Sequence, residues 1–389
     1  MIATMKDREG VYYLNAKLPV DFSIEIFSGV FDTSNKELLY FGYQGPSARR
    51  IVVIDLKVSK LYLDDIKKYF KFYDVHCSVI IINAIEENKN IETLLYLLGE
   101  IENIGPNRQN EPLIAVGGGA LLDIVGMAAG LYRRGIPYIK VPTTLLALVD
   151  ASVGVKTGVN FKDRRNRLGS YFPPIAAYLD KTFFKTLDDI EISSGLGEIL
   201  KLAVVKDLRL FQILKKHGND LYKKKFINCS FSDEVINRSI KGMRDELQEN
   251  LWEKNLKRYV DFGHSFSPIP EIRSLSDDNV STLTHGQAVT LDVIFSSIIS
   301  HIRGLLSKAE VFQIMNTARN MGLPTTHAYF TNPDILMEAL NDTIKHRNGS
   351  QNLPIPKTIG EAIFINDLTY EDIKTASKMM MEFNDEFIK

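Results

Sequence analysis

The densest set of reactive side chains lies in residues 141–160, which read VPTTLLALVDASVGVKTGVN. Asp150 and Lys156 stand there among small and apolar residues, and Thr143 and Thr144 follow the proline of the segment. Burying a carboxylate or an ammonium without a partner is costly, so a packed core has no use for such a concentration of polar groups. The segment therefore indicates a binding or catalytic site.

Three possible metal ligands, Glu198, His264 and His285, stand far apart in the sequence, and each adjoins a glycine. A catalytic zinc site uses three protein ligands and leaves a position for water or substrate. Each histidine taken alone has an ordinary alternative as a surface or core residue, so the residues by themselves leave both interpretations open. The two cysteines, Cys77 and Cys229, have no metal-ligand spacing and do not form a disulfide framework.

A run of three glycines, Gly117, Gly118 and Gly119, separates a predicted strand from a predicted helix. Glycine lets the backbone approach a ligand closely, and a helix N-terminus offers free N–H groups to a phosphate. The strict G-x-G-x-x-G pattern is absent, so a merely tight turn is an alternative. Asp123 in the following helix is either a helix-dipole carboxylate or a cofactor contact. Asp55, at the end of an earlier strand, suits a ribose hydroxyl acceptor.

The elements that must position these groups change in kind near the middle of the chain. Apolar runs and helical spacing predict strands at 51–55, 79–82, 113–116 and 138–141, and helices at 90–103 and 120–132. This alternation predicts a parallel sheet covered by helices on both faces. The later predicted elements are helices at 191–206, 233–250, 286–303, 308–321 and 334–346, and a strand at 362–365. We therefore expect an α/β domain over residues 1–185 and a mostly α-helical domain over residues 186–389.

The length of the chain suits two domains, and its composition is that of an ordinary soluble protein. The chain has 389 residues, of which 45% are apolar and 24% charged, with a formal net charge of −1. Nothing in that balance indicates a nucleic-acid or membrane surface. The first ten residues carry charges and no apolar run, so we expect no signal peptide and a cytoplasmic location.

Residues 141–160 closely resemble the signature of 3-dehydroquinate synthase and its relatives, the sugar-phosphate cyclases. Further segments occur in family order: GGGALLD at 117–123, YRRG at 132–135, NRLG at 166–169, SGLGEILK at 194–201, DFGHS at 261–265 and HGQAV at 285–289. The resemblance runs from about Asp55 to Gly360. It implies an N-terminal NAD-binding domain with a parallel sheet, a helical domain that binds metal and substrate, and a homodimer.

The resemblance also implies the chemistry. Glu198, His264 and His285 would hold a divalent metal, Zn²⁺ or Co²⁺, beside bound NAD. In this family the substrate is a small phosphorylated ketose, from which NAD⁺ removes a hydride to give a transient ketone. Phosphate then leaves by β-elimination, NADH returns the hydride, and an intramolecular aldol step closes the ring.

Individual roles are carried over by the same resemblance. The residues implied to contact substrate or take part in catalysis are Lys156, Lys201, Asp150, Asn166, Lys257, Asp261, His346 and Arg134, the last contributed by a partner subunit. The residues implied to bind NAD are Asp55, Glu86, Lys89, Gly117, Gly118, Gly119, Asp123, Thr143, Thr144, Asp150 and Arg165. For Glu86 and Lys89 a solvated charged loop is an equal alternative. Arg165 stands where the family usually has lysine, and the two are not interchangeable at tight sites.

Several departures argue against 3-dehydroquinate synthase itself. Met243 stands where a substrate-binding lysine is expected, Pro268 replaces a histidine, and Asp261 replaces an asparagine. The lost donors remove partners for a carboxylate substrate, and Asp261 would repel one. Asp261, Pro268 and the KHRNG segment around His346 resemble the 2-epi-5-epi-valiolone synthase branch, which uses sedoheptulose 7-phosphate. In HGQAV, Gln287 replaces the usual glutamate, which keeps a hydrogen bond but removes a charge next to a metal ligand.

Other activities stay open from the residues. Within the family these are 2-epi-valiolone synthase, desmethyl-4-deoxygadusol synthase and 3-dehydroquinate synthase. Outside it, the metal-dependent NAD alcohol dehydrogenases share the two-domain layout but carry out net oxidation. A cyclase recycles its NAD, so NADH accumulation during turnover separates the two classes.

Overall fold

The structure, a computed structural model, describes residues 12–45, 47–162 and 164–388. The strands are β1 (Ser23–Phe27), β2 (Arg49–Asp55), β3 (His76–Ile82), β4 (Leu113–Gly117), β5 (Tyr138–Pro142), β6 (Lys156–Phe161), β7 (Arg164–Tyr171), β8 (Ala176–Asp180), β9 (Leu353–Thr358) and β10 (Glu361–Ile365). The α-helices are α1 (Glu37–Tyr40), α2 (Leu56–Phe72), α3 (Ile91–Ile104), α4 (Gly119–Leu131), α5 (Asp189–Lys206), α6 (Leu208–Lys223), α7 (Ser232–Glu249), α8 (Pro268–Ser274), α9 (His285–Ile302), α10 (Lys308–Asn320), α11 (Pro333–His346) and α12 (Tyr370–Ile388).

Six parallel strands form the sheet of the first half, in the order β1-β8-β5-β4-β2-β3. From β2 the chain adds β3 on one side and then returns to place β4 on the other. Such a reversal opens a crevice at the carboxyl ends of the two diverging strands, where α/β proteins bind ligands. The residues at those ends are Asp55 and Gly117.

Alternate side chains of the central strands pack into separate cores on the two faces of the sheet. Ile51 and Val53 belong to one core with α3 and α4, while Val52 and Ile54 belong to another with α2. Because helices cover both faces of the sheet, the sequences of its central strands are continuous apolar runs. This is why the sequence pattern located β2, β4 and β5 well.

The second half is built around a close crossing of α5 and α9. A Cβ atom on Gly197 would lie 2.3 Å from the carbonyl oxygen of Gly286, and one on Gly286 would lie 1.8 Å from that of Ser194. Only glycine fits at either position, because any side chain would force the two backbones apart. The residues after Gly197 and before Gly286 are Glu198 and His285, so this crossing sets the distance between them.

The expected order of an α/β half followed by a mostly helical half is confirmed. The last strand of the sheet ends at Asp180 and α5 begins at Asp189, on either side of the boundary expected at residue 185. Sequence patterns missed α1, α2, α6, α8, α12, β1, β8, β9 and the antiparallel β6–β7 hairpin. Among the described residues, no helix has both the length and the apolar character needed to span a membrane.

Candidate active site

The three glycines lie at the crevice, where β4 passes into α4. Gly118 is the N-cap of α4, and none of the described side chains caps the helix, so its first N–H groups are left for a ligand. A Cβ on Gly117 would lie 2.6 Å from Leu121 Cδ2 and 3.0 Å from Leu121 Cβ, so a side chain there would have to displace Leu121. A Cβ on Gly119 would meet only Ala151, at 3.8 Å. The turn thus exposes backbone donors to a phosphate.

Some polar side chains around this turn already have hydrogen-bond partners among the described residues, and one does not. Asp55 accepts hydrogen bonds from the backbone N–H groups of Lys57 and Ala84, at 2.8 and 3.2 Å. Thr144 Oγ1 accepts from the N–H of Ala147. Thr143 Oγ1, by contrast, is buried and has no hydrogen-bond partner within the described ranges. A buried hydroxyl without a partner is costly, so Thr143 fits a bound cofactor.

Lys89 and Glu86 connect this turn to the β6–β7 hairpin. The Lys89 ammonium, only 5% exposed, donates to Asp123 at 2.5 Å and to Asn166 at 2.6 Å. Glu86 accepts a hydrogen bond from Asn160 at 2.9 Å and lies 3.4 Å from Nε of Arg165. Lys89 is therefore not part of a solvated loop.

A buried lysine holds the loop that carries Asp150 and Lys156. Lys140, on β5, donates to the carbonyl oxygens of Ala151 and Gly154, at 2.7 and 2.8 Å. Burial lowers the pKa of Lys140 to about 8. Asp150 lies in a π-helical turn, Ala147–Ala151, and burial raises the pKa of its carboxyl group. Lys140 was not expected to support the site, because a lysine inside a strand carries no local signal.

Glu198, His264 and His285 converge as expected, and we call them the metal cluster. One ligand atom from each residue lies within 4.8 Å of the others. Oε1 of Glu198 is 3.5 Å from Nε2 of His264 and 3.2 Å from Nε2 of His285. Over the residues that the structure describes, neither buried oxygen of Glu198 receives a well-oriented hydrogen bond. Two imidazoles facing an unsatisfied carboxylate suit a divalent cation such as Zn²⁺ or Co²⁺.

The electrostatics of the metal cluster also favour a cation. Burial, together with the Lys201 ammonium, lowers the pKa of His264 to about 4. Burial opposes protonation of His285 as well, but Glu271 and Glu198 outweigh it and raise the pKa of His285 to about 10. His264 therefore stays neutral near pH 7, as a metal ligand must, while the carboxylates beside His285 favour positive charge, which a divalent ion would supply.

Lys201 lies one helical turn after Glu198 on α5, and its Nζ is 2.6 Å from Oε2 of Glu198. Burial alone would lower the pKa of Lys201, but the Glu198 and Asp150 carboxylates outweigh it and raise that pKa. The ammonium thus stays charged in a buried position, where it can stabilise an oxyanion.

A second group of charges, which we call the rim, consists of Lys156, Glu253, Arg258, Asp261 and Arg347. Glu253, in a left-handed backbone conformation with φ of 51°, pairs with both Lys156 and Arg258. Arg258 also donates to Asp261 at 2.6 Å, and Arg347 lies 3.5 Å from Asp261. Asp261 was expected to repel a carboxylate; instead, two guanidinium groups neutralise it.

Three residues expected to contact substrate belong to neither the metal cluster nor the rim. The side chain of Lys257 is exposed, whereas its neighbour Arg258 belongs to the rim. His346 is exposed and lies 3.3 Å from Asp342, whereas its neighbour Arg347 is buried. The side chain of Arg134 is exposed and forms no hydrogen bond or ion pair with any residue described here.

Three of the residues that distinguish this chain from 3-dehydroquinate synthase lie in three different helices. Met243 is buried on α7, and Pro268 is the first residue of α8. Gln287 forms a capping box with Thr284 at the start of α9, where its Oε1 accepts from the Thr284 N–H at 3.0 Å. The lost charge at Gln287 therefore affects the first turn of α9. The carboxylate that contacts His285 is a different one, that of Glu271.

Comparison with known proteins supports one family. Residues 79–194 match the 3-dehydroquinate synthase N-terminal family, and residues 195–346 match the C-terminal family. The chain is 42% identical over 386 residues to a 2-epi-5-epi-valiolone synthase of Streptomyces albus, which covers 98% of this chain and 93% of that relative. It is 31% identical over 381 residues to a demethyl-4-deoxygadusol synthase of Trichormus variabilis, covering 96% of this chain and 91% of that relative.

A solved structure agrees with both halves of the fold. It is the 2-epi-5-epi-valiolone synthase of Streptomyces hygroscopicus subsp. jinggangensis 5008 with NAD⁺ and Zn²⁺ bound. The TM-score is 0.89 at 40% identity, over 95% of this chain and 99% of that one. With both domain families matched and cyclases similar along nearly its whole length, the chain belongs to the 3-dehydroquinate synthase family.

Proposed function

We propose that this chain converts sedoheptulose 7-phosphate into 2-epi-5-epi-valiolone with release of inorganic phosphate. The observation that carries the proposal is the metal cluster, in a chain 40% identical over 95% of its length to a synthase whose structure holds NAD⁺ and Zn²⁺. The reaction class is a carbon–oxygen lyase, because phosphate departs by β-elimination before the ring closes.

The described residues provide a place for each component. When bound, NAD⁺ and a divalent cation supply reversible hydride transfer and polarisation of substrate hydroxyls. The turn at Gly117–Gly119 and the free hydroxyl of Thr143 would hold NAD⁺, and the metal cluster would hold the cation. Lys201 stabilises the oxyanion that forms when the proton beside the transient ketone is removed.

We also propose a homodimer in which Arg134 of the partner subunit completes the phosphate site. Arg134 has a left-handed φ of 63° and an exposed side chain, so the backbone presents it outward. Lys156 and Asn166 would meet the phosphate from the same subunit as the metal cluster. Mixing Arg134→Ala and Lys156→Ala proteins should restore about a quarter of wild-type activity, because half of the dimers carry one intact site. No recovery in a re-formed mixed dimer would contradict the shared site.

The test of the function is product analysis. The purified protein is incubated with sedoheptulose 7-phosphate, Zn²⁺ and NAD⁺ at about a tenth of the substrate concentration, and the products are followed by NMR. We expect complete conversion to 2-epi-5-epi-valiolone without growth of NADH absorbance. NADH formed in proportion to product would place the chain with the dehydrogenases, and a product of different stereochemistry would place it in another cyclase branch.

A further inference from the structure

A second carboxylate stands behind one of the proposed metal ligands. Nε2 of His285 points toward Glu198, while Nδ1 lies 3.2 Å from Oε2 of Glu271. Glu271 belongs to the first turn of α8 and is only 2% exposed. Solvent therefore contributes little to holding this charge, which must be stabilised by protein groups.

The cation that stabilises Glu271 comes from the other half of the molecule. Arg165, on the β6–β7 hairpin, forms an ion pair with Oε1 of Glu271 through its guanidinium group. Its Nε also lies 3.4 Å from Oε1 of Glu86, which in turn accepts a hydrogen bond from Asn160. The carboxylate behind His285 is thus anchored to the α/β half, on the side expected to bind the cofactor.

The two imidazoles of the metal cluster are held in different ways. Nδ1 of His264 lies 3.2 Å from the carbonyl oxygen of Phe262, a neutral acceptor. Nδ1 of His285 faces a buried carboxylate, which is a stronger acceptor and makes the ring more basic. Gln287, whose counterpart in the family is usually glutamate, is committed to the capping box and takes no part in this contact.

We propose that Glu271 is a positioning residue for the metal and that Arg165 holds it in place across the junction of the two halves. The inference rests on the proposed metal site. When Nδ1–H donates to Glu271, the lone pair of Nε2 is directed toward Glu198, where the cation would bind. Arg165 suits this role better than the usual lysine, because its planar guanidinium reaches Glu271 and Glu86 together.

Metal affinity tests the proposal without relying on catalysis. Metal-free protein is titrated with Co²⁺, and binding is followed by the visible absorption of the ion. We expect Glu271→Gln to weaken Co²⁺ binding about 10–100-fold, and Glu271→Asp, which keeps the charge, to weaken it less. Glu338→Gln is the matched control. Glu338, on α11, forms an exposed ion pair at 2.6 Å with Arg273, which belongs to α8 like Glu271. The control variant should bind Co²⁺ like the wild type.

Arg165 is tested by a double-mutant cycle. Arg165→Met should weaken Co²⁺ binding by a smaller factor than Glu271→Gln. The double variant should bind no more weakly than Glu271→Gln alone, since Arg165 acts through Glu271. Circular dichroism and melting of the metal-free variants establish that each is folded before titration.

The outcomes separate this inference from the proposed function. Wild-type affinity in a folded Glu271→Gln protein would overturn the role of Glu271. Fully additive losses in the double variant would overturn the role of Arg165. A wild-type protein that binds no Co²⁺ would contradict the proposed metal site itself, and this inference would fall with it.

Discussion

The metal cluster and the rim are neighbours, because Lys201 interacts with both Glu198 and Asp261, but the two groups are built in opposite ways. Glu198 is 1% exposed, and its distance from His285 is set by glycine contacts between α5 and α9. The side chain of Lys156 is 60% exposed and is held by an ion pair with Glu253. Backbone packing thus fixes the metal cluster, whereas ion pairs between opposite charges hold the side chains of the rim. The contrast separates a preformed ion site from charges that an anionic substrate can rearrange.

Each cation of the rim already has an acidic partner. Lys156 and Arg258 share Glu253, while Arg258 and Arg347 share Asp261. A phosphate that binds here must compete with those carboxylates. Substitutions in the rim should therefore change affinity for anionic ligands, and substitutions in the metal cluster should change metal content.

The largest effect is expected from His264→Ala. Removing one of three ligands leaves an incomplete coordination shell, so we expect loss of bound metal and a fall in kcat of roughly 10³-fold or more. Chelation of the wild type should have the same effect, reversed by Zn²⁺ or Co²⁺. Metal analysis and steady-state kinetics measure both. Full activity in a His264→Ala protein shown to be metal-free would contradict the assignment.

Lys156→Ala should raise KM for the sugar phosphate and leave metal content unchanged. A charged hydrogen bond contributes about 1.5–3 kcal/mol, which corresponds to roughly a 10–150-fold change in affinity. The comparison variant is His264→Ala, which should lose its bound metal, whereas Lys156→Ala should keep it. A Lys156→Ala protein that loses metal would show that the rim and the metal cluster are not separate.

Asp261→Asn should narrow the preference for sedoheptulose 7-phosphate over the heptulosonate substrate of 3-dehydroquinate synthase. The change frees Arg258 and Arg347 from their shared carboxylate, and these guanidinium groups can then bind the C1 carboxylate. We expect the ratio of the two kcat/KM values to fall by roughly 10-fold or more. A ratio that rises would show that Asp261 serves another purpose.

The smallest effect is expected from Glu253→Gln. With Lys156 no longer neutralised, inorganic phosphate should inhibit a few-fold more strongly, because an ion pair with an exposed lysine contributes about 0.2–1 kcal/mol. Glu249→Gln, an exposed change at the end of α7, is the control and should leave phosphate inhibition unaltered. Equal or weaker inhibition in Glu253→Gln would remove Glu253 as the competing anion.

The sequence predicted the parts of the site that depend on local pattern or on family resemblance. Continuous apolar runs located β2, β4 and β5, and the resemblance brought together Glu198, His264 and His285, as the structure shows. The glycines beside these ligands were visible, but their purpose in the α5–α9 crossing was not, because it depends on a contact between distant segments.

The residues that sequence reasoning missed lie at the ends of elements or across the junction. Arg258 and Arg347 each follow the residue that was expected to face the substrate, Lys257 and His346. α11 ends at His346, and a short helical turn begins at Tyr259, so the side-chain direction changes there within one residue. Glu271 had no local signal, since its partners come from β7 and α9.

The most direct test is a crystal structure of the protein grown with Zn²⁺, NAD⁺ and inorganic phosphate, with anomalous diffraction measured at the zinc edge. We predict one zinc peak per chain at the metal cluster, within about 2.0–2.2 Å of ligand atoms from Glu198, His264 and His285. We also predict phosphate at Lys156, with its pair to Glu253 broken. Bound NAD⁺ without zinc at these three side chains, or zinc held by other residues, would contradict the account.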